Sequence, residues 1–183
     1  KKAMAAKPER RFKVVADNGS STTFTTLTTL DIEGQVLVVT DAKSHDCQKN
    51  RYSMGGQTLR AENRDSGVRL MIATVTGELL RRYDDRSQVW RAEFDALRRP
   101  TSLFVKQGSS TEVLLERRYY GEAFSSPEAS NLRGRLVHLY DAAGLVKTDS
   151  FDFKGNLLAS SRELATTYTA LVDWTALKLI TSP

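Results

Sequence analysis

The chain has 183 residues, 40% of them hydrophobic and 27% charged, with a formal net charge of +5. That length suits one domain with a real core, and no apolar run approaches the ~20 residues of a membrane span. One cysteine, Cys47, excludes an internal disulfide and any multi-cysteine metal site. The basic excess is dispersed: Arg10-Arg11, Arg81-Arg82, Arg98-Arg99 and Arg117-Arg118 are scattered, with Glu9, Asp84-Asp85 and Glu116 beside several of them. Solvated strand faces explain this better than a stripe for nucleic acid. The N-terminus lacks the apolar region of a signal peptide, and both ends read as cuts through a longer polypeptide.

Residues 1–11 read as a basic, Ala-rich connector and 12–183 as one β-region. Phe12 to Ala16 is a short strand, and Asp17-Asn18-Gly19 is a turn signal. Asn18-Gly19-Ser20 also matches a glycosylation sequon, but a hairpin turn is the simpler reading. Ser20 to Leu30, rich in threonine with Phe24, Leu27 and Leu30, is strand-like. Val36 to Val39 is apolar on both faces, which predicts cover on both sides. Val68, Leu70 and Ile72 alternate with Arg69 and Met71, and Trp90, Ala92 and Phe94 alternate with Val89, Arg91 and Glu93. Further strands are expected at Glu112 to Tyr120 and Leu136 to Tyr140, separated by a loop with Gly121, Pro127 and Asn131-Leu132-Arg133-Gly134. One helix is expected near the end: Ser160-Ser161-Arg162-Glu163 has capping-box spacing, and Leu164, Tyr168, Leu171 and Val172 share a helical face, although Thr166, Thr167 and Thr169 oppose it.

A turn signature recurs between these strands. It is clearest in Tyr140-Asp141-x-x-Gly144-Leu145 and Phe151-Asp152-x-x-Gly155-Asn156. The Asp side chain can hydrogen-bond backbone two residues on, and Gly takes the positive φ that closes the turn. Worn copies start at positions 31, 41, 53, 74, 84 and 95. Apart from one long gap, the steps are single or double multiples of about ten to eleven residues, the spacing of short antiparallel strands joined by tight turns. The expected turn formers are Asp31, Gly34, Asp41, Gly56, Gly77, Asp84, Asp95, Asp141, Gly144, Asp152 and Gly155.

These clauses resemble the YD-repeat (RHS-repeat) family, and within it the shell-forming, SpvB-type components of bacterial insecticidal toxin complexes. The closest matches are Phe94-Asp95-Ala96-Leu97-Arg98-Arg99-Pro100-Thr101, Tyr120-Gly121-Glu122-Ala123, Asn131-Leu132-Arg133-Gly134 and the two units already quoted, within a similarity running from about residue 12 to Trp174. Ser44, Ser87 and Arg98 stand where the family has Gly, and Leu30, Thr40 and Ala73 where it has Tyr. The resemblance implies an all-β fold, an antiparallel meandering sheet forming a curved segment of a β-shell around a toxic C-terminal polypeptide. It implies a secreted, non-enzymatic segment. Its partners are then the rest of the shell, the enclosed polypeptide and other toxin-complex subunits, with no nucleic acid, no membrane insertion and no cofactor. The Asp-Pro-x-Gly self-cleavage motif of some members is absent. A second reading is an extracellular carbohydrate- or receptor-binding module, since YD repeats also occur in adhesion proteins; its mark is a contiguous exposed aromatic or basic patch.

Other chemistry is thinly supported. His45-Asp46-Cys47 places imidazole, carboxylate and thiol together, but without an oxyanion turn it reads as a polar turn. His138 sits alone in an apolar strand and makes no metal site. Trp90, Trp174, Tyr119 and Tyr120 at strand spacing read as core or cross-strand pairs, not a binding platform. A slice of such a sheet has raw edges, so the chain alone is expected to self-associate or be marginally stable.

Overall fold

The computed structural model describes residues 10–17, 19 and 22–182. Asn18 and Ser20 of the sequon, and residues 1–9 of the expected connector, lie outside the described residues; Arg10 and Arg11 belong to the first strand. The fold is all-β: thirteen strands follow one another in chain order as an open antiparallel meander. The chain divides into two compact units, one through Ser87 and one from Gln88 onward.

The first unit holds β1 (Arg10–Asp17), β2 (Thr23–Leu30), β3 (Val36–Thr40), β4 (Asp46–Tyr52), β5 (Thr58–Asn63), β6 (Gly67–Ala73) and β7 (Leu79–Asp84). Threonine, valine and aromatic residues fill β2 and β3, as the pleated surface favours. Among the described residues, no second layer covers these strands. Asn50 is the one buried residue among those described in this unit, and Phe12, Val14, Leu70 and Ile72 are exposed. The expected double cover of β3 is therefore corrected: all five of its residues are half-buried. The buried Asn50 is satisfied, its amide donating to Val36 O at 3.0 Å and to Tyr52 Oη at 3.1 Å.

The second unit holds β8 (Gln88–Phe94), β9 (Pro100–Gln107), β10 (Val113–Tyr120), β11 (Leu136–Asp141), β12 (Gly144–Phe151) and β13 (Leu157–Leu164), with 3-10 turns at Gly121–Ala123, Pro127–Ser130 and Thr175–Leu177. All the buried apolar core side chains among the described residues lie here: Phe104, Leu114, Tyr119, Leu132, Val137 and Leu145. Arg91 stacks over Phe104 at 4.1 Å and forms a two-pronged pair with Glu112 at 3.0 and 2.7 Å. Pairing with Glu112 and Glu93 raises the affinity of Arg91 for its proton.

Three features depart from the sequence reading. The expected helix over 160–172 is absent: Leu157–Leu164 is β13, paired with β12 from Gly144 opposite Leu164 to Phe151 opposite Leu157. The ladder on β12 satisfies its backbone, which overrides a weak capping signal in a threonine-rich segment. Strand β9 was hidden by Pro100, which occupies the first strand position, where a missing N–H is tolerated. And residues 174–182 cross back over β10 as a strap. Trp174 N donates to Leu114 O at 2.9 Å, and Arg117 Nη2 and Tyr119 Oη both donate to Ile180 O at 3.0 Å.

Candidate functional site

The repeated turns share one geometry. In the Asp31 turn, Oδ1 accepts from Glu33 N and Gln35 N, both at 2.9 Å, and Asp31 N donates to Gln35 O at 2.9 Å. Asp41 takes Lys43 N and His45 N at 2.8 Å, and Asp95 takes Leu97 N and Arg99 N at 2.9 Å. Asp152 takes Lys154 N at 2.9 Å and Asn156 N at 2.8 Å. Ser53 does the same with its hydroxyl, accepting from Gly55 N and Gln57 N, and Thr74 accepts from Glu78 N. Asp84 accepts from Arg86 N at 3.0 Å. The third residue on takes positive φ: Gly34, Gly56, Gly77 and Gly155 where glycine is present, and Ser44 (65°), Ser87 (59°) and Arg98 (62°) where it is not.

The residue before six of these turns sits at a register shift: Leu30, Thr40, Tyr52, Ala73, Phe94 and Phe151. The aromatic or apolar residue of the signature is thus at a β-bulge, which sharpens local twist just where the chain reverses. The Asp141 turn is tighter. Asp141 pairs directly with Gly144, accepts from Ala143 N at 2.8 Å, and holds the Arg162 guanidinium at 2.6 Å. A β-carbon on Gly144 would stand 2.1 Å from Glu163 O, so close strand packing requires glycine.

Each carboxylate is thereby engaged by the backbone of its own turn. Hydrogen bonds from Asn156, through its side chain and its backbone, hold Asp152 below its usual range, and those from the backbone of His45 do the same for Asp41. Partial burial opposes the effect at Asp95, but the Arg99 backbone N–H and guanidinium prevail. Asp41, Asp95 and Asp152 are thus held ionised, the reverse of what a general acid needs.

The Asp95 turn is tied to the loop after β10. Arg99 Nε pairs with Asp95 at 2.7 Å and its Nη1 with Glu122 at 3.1 Å, while its guanidinium lies 4.0 Å over the Tyr120 ring. Glu122 in turn accepts from Gly134 N at 2.8 Å, and Tyr120 Oη donates to Pro100 O at 3.0 Å. The Asp95–Thr101, Tyr120–Ala123 and Asn131–Gly134 clauses, far apart in the chain, are one hydrogen-bonded cluster. The loop from Pro127 to Arg135 and the turn from Asp152 to Gly155 border a shallow, solvent-open cleft of about 320 Å³.

The remaining candidates lie elsewhere. His45 closes the Asp41 turn, its Nδ1 3.4 Å from Asp41. Cys47 is in β4 and not in a turn; its thiol donates to His45 O at 3.6 Å, and burial together with the Asp41 carboxylate pushes its pKa up, the reverse of a nucleophilic thiolate. His138 is in edge-to-face contact with Phe124 at 4.8 Å and Tyr140 at 6.1 Å. Trp174 packs on Tyr140 at 5.0 Å and its Nε1 donates to Asp141 O at 3.0 Å. Among the described residues no three His, Cys, Asp or Glu side chains gather around a common point for a metal ion, and no helix is long and apolar enough to cross a membrane.

Geometry of this kind defines a class: an open antiparallel meander of short strands joined by repeated side-chain-closed turns. No family model and no curated protein sequence matches the chain. Its fold is, however, that of solved toxin-complex structures. A crystal structure of TcdB2-TccC3-TEV aligns with a TM-score of 0.75 at 21% identity over 89% of this chain, and a Photorhabdus luminescens Tc holotoxin pore structure with 0.75 at 22% over 90%. A crystal structure of TcdB2-TccC3 gives 0.75 at 22% over 89%. In each case the chain spans 8% of the length of the structure it matches.

Proposed function

We propose that the chain is a wall segment of a YD/RHS-repeat shell that encloses a toxic polypeptide, and that it works without enzymatic activity of its own. The observation carrying this reading is the repeated turn: Asp31, Asp41, Asp95 and Asp152 each direct one carboxylate oxygen to two backbone N–H groups of the same turn. Groups engaged in this way shape a barrier and are not free to handle a reactant. On this reading all eleven expected turn residues are structural, and the sheet isolates a guest from solvent and proteases by hydrogen-bonding its backbone into a continuous ladder. The similarity to TcdB2-TccC3 structures supports the same role, with the remaining shell, the guest and other toxin-complex subunits as partners and secretion as part of a larger toxin.

The test is protease protection in a longer polypeptide carrying this segment. The enclosed polypeptide should survive trypsin while the wall is native and be digested once the wall is unfolded. Digestion of that polypeptide at the same rate in both states would overturn the reading.

A further inference from the structure

The cleft between the Pro127–Arg135 loop and the Asp152–Gly155 turn carries charges that no turn or strand requires. The backbone of Arg135 is fixed from both sides: its N–H donates to Leu132 O at 2.9 Å and its carbonyl accepts from Gly121 N at 3.0 Å. Its guanidinium lies 4.9 Å over the Phe151 ring and against Gly155, where a β-carbon would stand 2.4 Å from Nη2. Glycine at 155 thus makes room for the cation as well as closing the turn. Among the described residues, neither Arg135 nor Lys154 has a carboxylate partner, whereas Arg133 is paired with Glu128 at 3.2 Å. Asp152, the other acid on the cleft, has Oδ1 engaged by two backbone N–H groups and Oδ2 by Asn156 Nδ2 at 2.8 Å. Beside these cations stands Phe153, 87% exposed, with Lys154 Nζ 5.5 Å from its ring.

We propose that this cleft binds a sugar bearing a carboxylate, of the uronate or sialate type. Arg135, a planar donor fork lying over the Phe151 ring, takes the carboxylate, and Lys154 adds the second positive charge. The exposed ring of Phe153 offers an apolar platform to the C–H face of a pyranose. Asn131 donates to Phe151 O at 2.9 Å through Nδ2, which leaves Oδ1 to accept from a sugar hydroxyl. At about 320 Å³ the cleft is at the small end of ligand pockets, which run from ~300 to ~1,000 Å³, and fits a single substituted ring. An extended acidic peptide fits less well. Peptides add to an open strand edge, and β12 is already paired on both sides, with β11 and β13. The site is independent of the shell role, since it rests on side chains that the turn geometry does not use.

Saturation-transfer NMR on the full 183-residue chain tests it with glucuronate, N-acetylneuraminate, glucose and a Glu-rich peptide as probes. The two acidic sugars should saturate at about 1–10 mM, and glucose should bind at least about tenfold more weakly. Arg135→Gln should weaken the acids by about tenfold or more and Phe153→Ala by about threefold or more. Lys154→Gln, on an exposed side chain, provides a second charge variant if Arg135→Gln perturbs folding. Equal binding of glucose, absence of saturation by either acid up to about 50 mM, insensitivity to both Phe153→Ala and Lys154→Gln, or tighter binding of the peptide would each overturn the proposal. None of these results bears on protease protection by the wall.

Discussion

Gly121 lies against the carbonyl of Leu132 so closely that a β-carbon on it would stand 2.0 Å from that oxygen. The contact locks the start of the loop after β10 to its end, where Gly121 N also donates to Arg135 O at 3.0 Å. Gly121→Ala must therefore push backbone against backbone, with a cost of about 1–3 kcal/mol. Gly134→Ala, where nothing lies within 4 Å of the added carbon, should cost only the strain of its positive φ, roughly 1 kcal/mol. Urea unfolding of the two variants should rank them in that order.

Ser44, Ser87 and Arg98 hold the left-handed position that glycine fills in other turns. Replacing each with Gly relieves about 1–2 kcal/mol of strain and returns about 0.4–1 kcal/mol as extra freedom of the unfolded chain. Each variant should gain between nothing and about 1.6 kcal/mol in denaturant unfolding, and the gains should add because the three turns share no partners.

The turn carboxylates predict an acid limb in stability. Asp41, Asp95 and Asp152 all titrate below the ordinary value of 3.8 in the folded chain. Their contribution is complete above 3.8 and is lost as pH falls through the lower folded values. Asp152→Asn, which keeps the Oδ1 acceptor, should flatten this limb while leaving the turn closed; Asp95→Ala, which also releases Arg99, should cost about 1–3 kcal/mol at neutral pH. Unfolding midpoints measured from pH 2 to 7 check both.

His138 adds a second pH dependence at milder acidity. Burial, then the nearby Lys147, depress its pKa below 6.5, against weaker opposing pulls from Asp149 and Glu163. The unfolded chain therefore takes up the proton first. The contribution is present above 6.5 and is lost as pH falls through the folded value. His138→Phe should remove this slope between pH 7 and 5, read by thermal unfolding.

Trp174 anchors the strap. Trp174→Ala removes the contact with Tyr140 and the hydrogen bond to Asp141 O, and should cost about 1–3 kcal/mol for a half-buried ring. Hydrogen exchange should rise at the Trp174 amide, which bonds Leu114 O, before it rises in β11.

The turns were legible in the sequence because their chemistry is local: Asp152 finds its partners two and four residues on. The strap was not, because Tyr119 and Arg117 meet the Ile180 carbonyl about sixty residues away, and a backbone acceptor leaves no mark on residue identity. Phe153, two residues past the signature aromatic Phe151, is 87% exposed, since it occupies a turn tip and not the bulge position held by Phe151. Among the site residues, Arg135 gave no signal at all. Its lack of an acid partner is a property of placement, which no motif records.

Self-contained turns also bear on how such a chain can change over generations. A stretch whose reversals close on their own backbone, as those at Asp31, Asp41 and Ser53 do, can gain or lose a pair of strands as one block, and the neighbouring ladder re-forms because a pair restores the original direction of travel. Removing a single strand would invert every residue downstream. Length variation among related sheets should accordingly come in steps of about twenty residues, two turn-to-turn spacings, and seldom in steps of ten.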